Sequence, residues 1–95
     1  MLSATNGVVQ LEKTLEFTNV EALLNEGYRL LSVTDNLTFD LSGVQQADSA
    51  GLALLIAWWR FAKKHGVKIH FTHLPDTLKA LMAVTNVNAV LSDCL

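Results

Sequence analysis

The chain has 95 residues, which suffice for one domain over residues 1–95 and are too few for two. Hydrophobic residues make up 51% of it, so a core can form without a metal, and the one cysteine, Cys94, cannot form an internal disulfide. The formal net charge of -2 excludes a general attraction to nucleic acid or to anionic lipid.

The sequence predicts a cytoplasmic protein. The first seven residues contain neither the basic region nor the apolar stretch of a signal peptide. The longest apolar run, residues 50–59, is shorter than the roughly 20 residues that cross a bilayer. We therefore expect no direct insertion into a membrane.

The first elements in chain order are predicted to be two strands. Apolar residues favour one strand over residues 7–11 and another over residues 14–17. A tight turn at Glu12 and Lys13 would join them. These two strands are expected to form a hairpin.

A helix and a third strand follow. Thr18 and Glu21 fit a capping box, in which each side chain satisfies a backbone amide at the start of a helix. Apolar residues at helical spacing then predict an amphipathic helix over Val20–Leu31. Residues 37–41 alternate apolar and polar and predict a strand, which Ser42 and Gly43 are expected to end.

The second half of the chain is predicted to continue with helix, strand and helix. A polar loop over residues 45–48 leads to a helix over Ser49–His65, which Gly66 ends as the C′ residue. Residues 67–71 alternate as in a strand. Pro75 suits the first turn of a third helix.

The predicted order is β-β-α-β-α-β-α, which is an α/β fold. Strands joined through helices favour parallel pairing and right-handed crossovers. We expect one mixed sheet of about four strands with helices packed on it. The apolar face of the third helix comprises Leu78, Leu81 and Met82, and one further helical turn is predicted from Val87, Val90 and Leu91.

The most informative segment is residues 40–55, where a strand leads through a loop into a helix. Ser49 is in position to cap that helix, and Ala50 and Gly51 leave its first turn with little bulk. A helix N-terminus with free amides can receive an anion or a side chain of a partner. A phosphate on Ser49 would sit favourably beside the helix N-terminus, although Asp48 would oppose it.

This segment resembles the core motif of STAS domains, the fold of the anti-sigma-factor antagonists. The motif reads Asp-Leu-Ser-Gly-Val from residue 40 and Ala-Asp-Ser-Ala-Gly-Leu-Ala-Leu-Leu from residue 47, and the resemblance runs from Val8 to about Leu91. In the antagonists, a partner kinase phosphorylates the hydroxyl residue directly after the motif aspartate. The resemblance thus implies Asp48 as that aspartate and Ser49 as a possible phosphorylation site.

Within this family the sequence is most similar to the MlaB-like STAS subunit of Mla-type phospholipid-transport ABC systems. The similarity lies in residues 48–55 and in Ala-Lys-Lys-His-Gly at 62–66. It implies a subunit that sits on the cytoplasmic ATPase of a Gram-negative transporter and reaches the inner membrane only through that partner. The chain departs from many antagonists at residues 13–16 and at Ala50, where a second hydroxyl is usual.

Two functional hypotheses follow from the resemblance. The first is a non-catalytic subunit that binds and supports the ABC-transporter ATPase; its partner-binding residues would be Asp48, Ser49, Ala50, Gly51, Leu52, Leu54 and Trp58. The alternative is an anti-sigma-factor antagonist, bound by an anti-sigma factor kinase and regulated by phosphorylation of Ser49. A purely structural alternative is that Ser49 only caps the helix. For Asp48 the corresponding alternative is a solvated loop carboxylate or the cap in place of Ser49.

The two adjacent tryptophans allow two interpretations. One stripe of the second helix, predicted to face the core, comprises Leu52, Leu55, Ile56 and Trp59. Leu54, Trp58 and Phe61 then point elsewhere, either into a second layer of core or into an exposed apolar patch. In the second case Trp58 would anchor a partner.

The remaining polar residues predict no enzyme, cofactor or metal site. Nucleotide-binding loops and hydrolase motifs are absent from the sequence. Arg60, Lys63, Lys64 and Lys68 are predicted to form a solvated basic edge. His65, His70 and His73 lack metal-ligand spacing, and Cys94 lacks a positioned base.

Overall fold

The computed structural model describes residues 4–15, 19–85 and 91. Its strands are β1 (Ala4–Thr5), β2 (Val8–Leu15), β3 (Asn36–Ala47) and β4 (Lys68–Thr72), and its helices are α1 (Val20–Leu31), α2 (Ser49–His65) and α3 (Asp76–Thr85). The order β-β-α-β-α-β-α and the mixed four-stranded sheet confirm the predicted fold class.

The strands lie in the order β1-β2-β3-β4. β1 is antiparallel to β2, whereas β2, β3 and β4 run parallel to one another. One face of the sheet carries the buried apolar residues, among them Val9, Phe39 and Phe71, which occupy one row of the register. α2 and α3 pack on the sheet, and α1 packs on α2. Within the described residues, no helix has the length and apolar character that crossing a bilayer requires.

A hairpin opens the sheet as predicted, but its strands and its turn were predicted at the wrong residues. β2 continues without a turn through Glu12 and Lys13, because it pairs with β3 along its whole length. The hairpin turn lies earlier, at Asn6 and Gly7, which have φ angles of 55° and 78° and join β1 to β2. Asn-Gly is the sequence that favours such a tight hairpin turn. Phe17, assigned to the second strand, lies outside the described residues.

β3 is longer than predicted. It does not end at Ser42 and Gly43 but continues to Ala47, so the predicted loop begins only at Asp48. The continuation pairs Gly43 with Glu12 and Ala47 with Leu15 of β2. Two register shifts accommodate the extra residues of β3, as β-bulges do.

The helix bounds agree more closely with the predictions. α1 and α2 have the predicted ranges, and Gly66 ends α2 in the left-handed conformation at φ 71°. Asn19 directly precedes α1, and its side chain forms no capping hydrogen bond. Thr18, which the sequence predicted as part of a capping box with Glu21, lies outside the described residues. α3 begins directly after Pro75.

The predicted helical turn after α3 can be described only at Leu91, which is helical and buried. Its other two members, Val87 and Val90, lie outside the described residues.

Trp58 lies at the centre of the core. Its side chain is 0% exposed, stacks on Phe39 with ring centroids 4.2 Å apart, and donates its indole N–H to the backbone oxygen of Leu24 at 3.2 Å. Leu54 is also buried. The predicted core stripe was therefore only partly correct. α2 is covered by the sheet, by α1 and by α3, so its buried arc includes Leu54 and Trp58. Ile56 and Trp59, which were predicted to face the core, are only half-buried.

Gly27 allows α1 to approach Trp58 closely. A Cβ placed on Gly27 would overlap the indole Nε1 and Cε2 atoms of Trp58. The ring cannot withdraw easily, because Phe39 lies against its other face. Glycine is thus required at this position by packing rather than by backbone conformation.

Gly27→Ala is expected to lower the free energy of unfolding by about 2 kcal/mol. A Cβ that overlaps the indole should incur the upper end of the roughly 1–3 kcal/mol that overpacking costs, and about 1 kcal/mol is regained in helix propensity. Urea unfolding measures the change. In a Trp58→Phe background, where the ring no longer fills the space, the same substitution should cost clearly less. An equal cost in both backgrounds would show that Trp58 is not the obstacle.

Candidate functional site

The start of α2 is the candidate site. α2 follows β3 and α3 follows β4, and these strands are parallel, so both helices begin at the same edge of the sheet. We call residues 48–52 the α2 N-terminal turn. The first five residues that were predicted to bind a partner, Asp48 to Leu52, make up this turn.

Asp48 caps α2. Its Oδ1 atom accepts hydrogen bonds from the amides of Ala50 at 2.8 Å and Gly51 at 3.3 Å. Its backbone is extended, with φ -103° and ψ -167°, as expected for a cap. Of the two candidate caps, Asp48 is therefore confirmed and Ser49 is wrong, because the Asp48 carboxylate already satisfies these amides.

Ser49 is the first residue of α2 and is exposed to solvent. Within the described residues, nothing forms a hydrogen bond with its hydroxyl group. The purely structural interpretation of Ser49 as a cap is thereby removed. Its hydroxyl can donate to or accept from a group that approaches this edge.

The structure separates the predicted partner-binding residues into two sets. Asp48 and Ser49 are exposed and Ala50 is half-buried, while the other four, Gly51, Leu52, Leu54 and Trp58, are buried. Leu54 and Trp58, at 3% and 0% exposure, are corrected to core residues, since they can touch a partner only if α2 leaves the fold.

Three residues that were not predicted to bind a partner lie on the outward side of α2, and one of them, Ile56, was predicted to face the core. Ala53 is exposed, and Ile56 and Ala57 are half-buried. At 3.6 residues per turn they lie within about 80° of Ser49 around the helix axis. The alanines at 50, 53 and 57 have short side chains, so this side of the helix is nearly flat. Ile56 is the larger apolar side chain that a partner can contact there. Helical spacing measured from Ser49 instead of from Leu52 would have identified them.

The basic residues lie at the other end of α2. Arg60, Lys64 and Lys68 are exposed near its C-terminus, where cations suit the helix dipole. α2 has 17 residues and is therefore about 25 Å long, which separates this edge from Ser49. In the described part of the chain, no group of His, Cys, Asp and Glu side chains is arranged to hold a metal ion.

Solved structures of anti-sigma-factor antagonists share this fold. SpoIIAA in its unphosphorylated form is 13% identical, with a TM-score of 0.76 over 94% of this chain and 82% of that one. An antagonist from Mycobacterium paratuberculosis is 18% identical, with a TM-score of 0.79 over 95% and 79%. A putative antagonist from Thermotoga maritima is 17% identical, with a TM-score of 0.78 over 95% and 80%. At these identities the likeness concerns the fold.

The family assignment follows from the sequence itself. A family model described as "Mlab, STAS domain" matches residues 2–92, and the chain belongs to this STAS domain family. No curated protein sequence matches the chain. The recognition of an MlaB-like STAS domain is thereby confirmed.

Asp48→Ala should lower the free energy of unfolding by about 1 kcal/mol, because it removes the acceptor for two helix amides. Asp48→Asn, which retains an oxygen acceptor, and Ser49→Ala should each change it by less than about 0.5 kcal/mol. Thermal or urea unfolding of the three variants compares these losses. A larger loss for Ser49→Ala than for Asp48→Ala would contradict the assignment of the cap.

Proposed function

We propose that the chain is a non-catalytic STAS subunit that binds the ATPase of an Mla-type lipid-transport ABC complex through the α2 N-terminal turn. The observation that carries the proposal is the exposed Ser49 hydroxyl on a helix whose cap is supplied by Asp48. Membership in the MlaB STAS family supports an ABC ATPase as the partner. In this role the chain is cytoplasmic and reaches the inner membrane only through the ATPase.

The shape of the outward side of α2 suits close docking. Ala50, Ala53 and Ala57 project little beyond the backbone, so a partner segment can approach the helix and exclude water from the Ser49 hydroxyl. Ile56 adds apolar contact area, which is the main source of affinity in such interfaces. Ser49 then contributes a hydrogen bond that fixes the position of the partner. The chain supplies binding energy to the ATPase and performs no chemistry of its own.

Ser49→Arg should weaken binding to the purified ATPase by tenfold or more, about 1.4 kcal/mol, because a long charged side chain would separate the two surfaces. Ser49→Ala removes only one hydrogen bond and should have a clearly smaller effect. Isothermal titration calorimetry with the ATPase of the host's own transporter measures both.

Ser32→Arg is the matched control. Ser32 is an exposed serine at the C-terminal end of α1, at the opposite edge of the sheet, and its hydroxyl donates a hydrogen bond to the backbone oxygen of Arg29 at 2.7 Å. Its substitution should leave the affinity unchanged. All three variants should unfold within about 1 kcal/mol of the wild type, since a cation at a helix N-terminus or the loss of one exposed hydrogen bond costs at most about that much. Equal affinities for Ser49→Arg and the wild type would contradict docking through the α2 N-terminal turn.

A second candidate function is that of an anti-sigma-factor antagonist regulated by phosphorylation of Ser49. The same exposure favours it, because a kinase must reach the hydroxyl. A phosphate there would lie at the N-terminus of α2, where the helix dipole favours negative charge by about 0.3–1 kcal/mol. The added charge would alter binding of a partner at this edge.

Mass spectrometry of the chain isolated from its own host separates the two candidates. The transport role predicts that Ser49 stays unmodified in every growth phase and that the chain copurifies with an ABC ATPase. A substantial fraction of phosphorylated Ser49, together with copurification of a kinase, would instead establish the antagonist role.

A further inference from the structure

α2 carries three lysine and arginine side chains and no acidic residue. Its 17 residues contain Arg60, Lys63 and Lys64, and neither aspartate nor glutamate. On an exposed helix face, a cation is stabilised by a carboxylate three or four residues away and destabilised by a like charge there. The residues at this spacing from Arg60 are Ile56, Ala57, Lys63 and Lys64. The helix therefore places like charges side by side and offers Arg60 no partner of its own.

Other elements of the fold do not neutralise Arg60 or Lys64 either. Both side chains are exposed, and among the residues that the structure describes no carboxylate lies within ion-pair distance of them. Lys63 differs, because its Nζ atom lies over the Trp59 ring, 5.8 Å from the centroid. The helix dipole favours Lys64 in the last turn of α2, but its effect does not extend to Arg60 one turn earlier. Helix stability thus does not explain an arginine at position 60.

Arg60 lies on the same side of α2 as Ser49 and Ile56. At 3.6 residues per turn and 1.5 Å per residue, it is rotated by about 20° from Ser49 around the helix axis and lies about 16 Å further along it. Ile56 lies between them on this side. An interface of standard size covers about 800 Å² of each partner, which corresponds to a circle with a radius of about 16 Å. A partner centred between Ser49 and Ile56 therefore covers Arg60 near the rim of its footprint.

We propose that Arg60 belongs to the docking surface and forms an ion pair with a carboxylate of the ATPase, which Lys64 strengthens from the next turn of α2. The planar guanidinium group can bind both oxygens of a carboxylate. A protein carboxylate is the expected anion, because Arg60 shares one helix face with the apolar Ile56 and with Ser49.

This inference rests on the proposed function and adds the chemistry of the partner. The surface of the ATPase would carry an acidic side chain about 16 Å from the group that meets the Ser49 hydroxyl. Charge pairs at the rim of an interface act mainly on the association rate and on the orientation of the partner. A hydrogen bond at Ser49 and an ion pair at Arg60 would together fix the direction in which the ATPase segment lies along α2.

Lys68 supplies the matched control. It lies near the C-terminus of α2 but belongs to another surface. Its strand neighbours Ile69 and Phe71 are buried beneath the helices, and side chains alternate along a strand, so Lys68 points to the opposite face of the sheet. Arg60→Glu and Lys68→Glu change the net charge equally, and only the first alters the outward side of α2.

Arg60→Glu should weaken binding to the purified ATPase of the host's own transporter by about tenfold or more, because it places like charges opposite each other. Arg60→Lys keeps the charge and should stay within about threefold of the wild type. Lys68→Glu should stay within about twofold, since at 0.1 M salt charges more than about 10 Å apart are largely screened.

Isothermal titration calorimetry at about 0.1 M salt measures these affinities. Thermal unfolding followed by circular dichroism verifies that each variant is folded. Equal losses for Arg60→Glu and Lys68→Glu would overturn the ion pair, because the change in net charge would then explain both.

Carbodiimide cross-linking identifies the carboxylate directly. The reagent activates a carboxylate, and a lysine amine in contact with it forms an amide while the reagent leaves as a urea. In the complex of Arg60→Lys with the ATPase, position 60 should be joined to an aspartate or glutamate of the ATPase, as mass spectrometry of the digested complex shows. Replacing that acidic residue by lysine should restore the binding of Arg60→Glu. Adducts with the ATPase from Lys68, and none from position 60 or 64, would overturn the inference.

Ser49→Arg in the same titrations separates this inference from the proposed function. Wild-type affinity for Arg60→Glu together with weakened binding for Ser49→Arg would overturn the ion pair and leave docking through the α2 N-terminal turn intact. Absence of any binding between the wild-type chain and the ATPase would contradict both.

Discussion

The packing of Trp58 against α1 and the sheet determines how α2 is rotated about its axis, and the candidate site depends on that rotation. The indole lies between Gly27 and Phe39 and is held by a hydrogen bond to the backbone of α1. Nine residues separate Ser49 from Trp58, which at 3.6 residues per turn corresponds to about 180° around the helix. A tryptophan fixed in the core therefore turns Ser49 toward solvent. The packing of Trp58 thus both stabilises the fold and determines that Ser49 is exposed.

Asp48 and Ser49, the two polar residues at the start of α2, have different roles: Asp48 caps the helix and Ser49 is exposed to solvent. The Asp48 carboxylate satisfies the helix amides, so the helix keeps its stability whatever the Ser49 side chain contacts. A hydroxyl that also capped the helix would have to give up a hydrogen bond in order to meet a partner or to accept a phosphate. This division of tasks leaves Ser49 available for recognition in either of the two candidate functions.

Periodicity and glycine placement sufficed to predict α1 and α2, because the amphipathic spacing and the Gly66 stop are local properties of the sequence. Two features depend on partners distant in sequence: the continuation of β3 was missed, and the burial of Trp58 was left open. β3 continues to Ala47 because β2 lies beside it, although its own polar residues suggest a loop. Trp58 is core because three layers surround α2. The cap of α2 is a local choice between Asp48 and Ser49, which the sequence left open and the extended backbone of Asp48 decides. The hairpin is a different case, since Asn6 and Gly7 were a local indication that was overlooked.

Site-specific photo-crosslinking in the native host tests most directly whether the α2 N-terminal turn is the docking surface. A photoreactive amino acid at position 49 should form an adduct whose second component is identified by mass spectrometry as an ABC ATPase, because the helix presents that position outward. The same group at position 32, at the opposite edge, should form no such adduct. Adducts with the ATPase from position 32 alone would contradict the account.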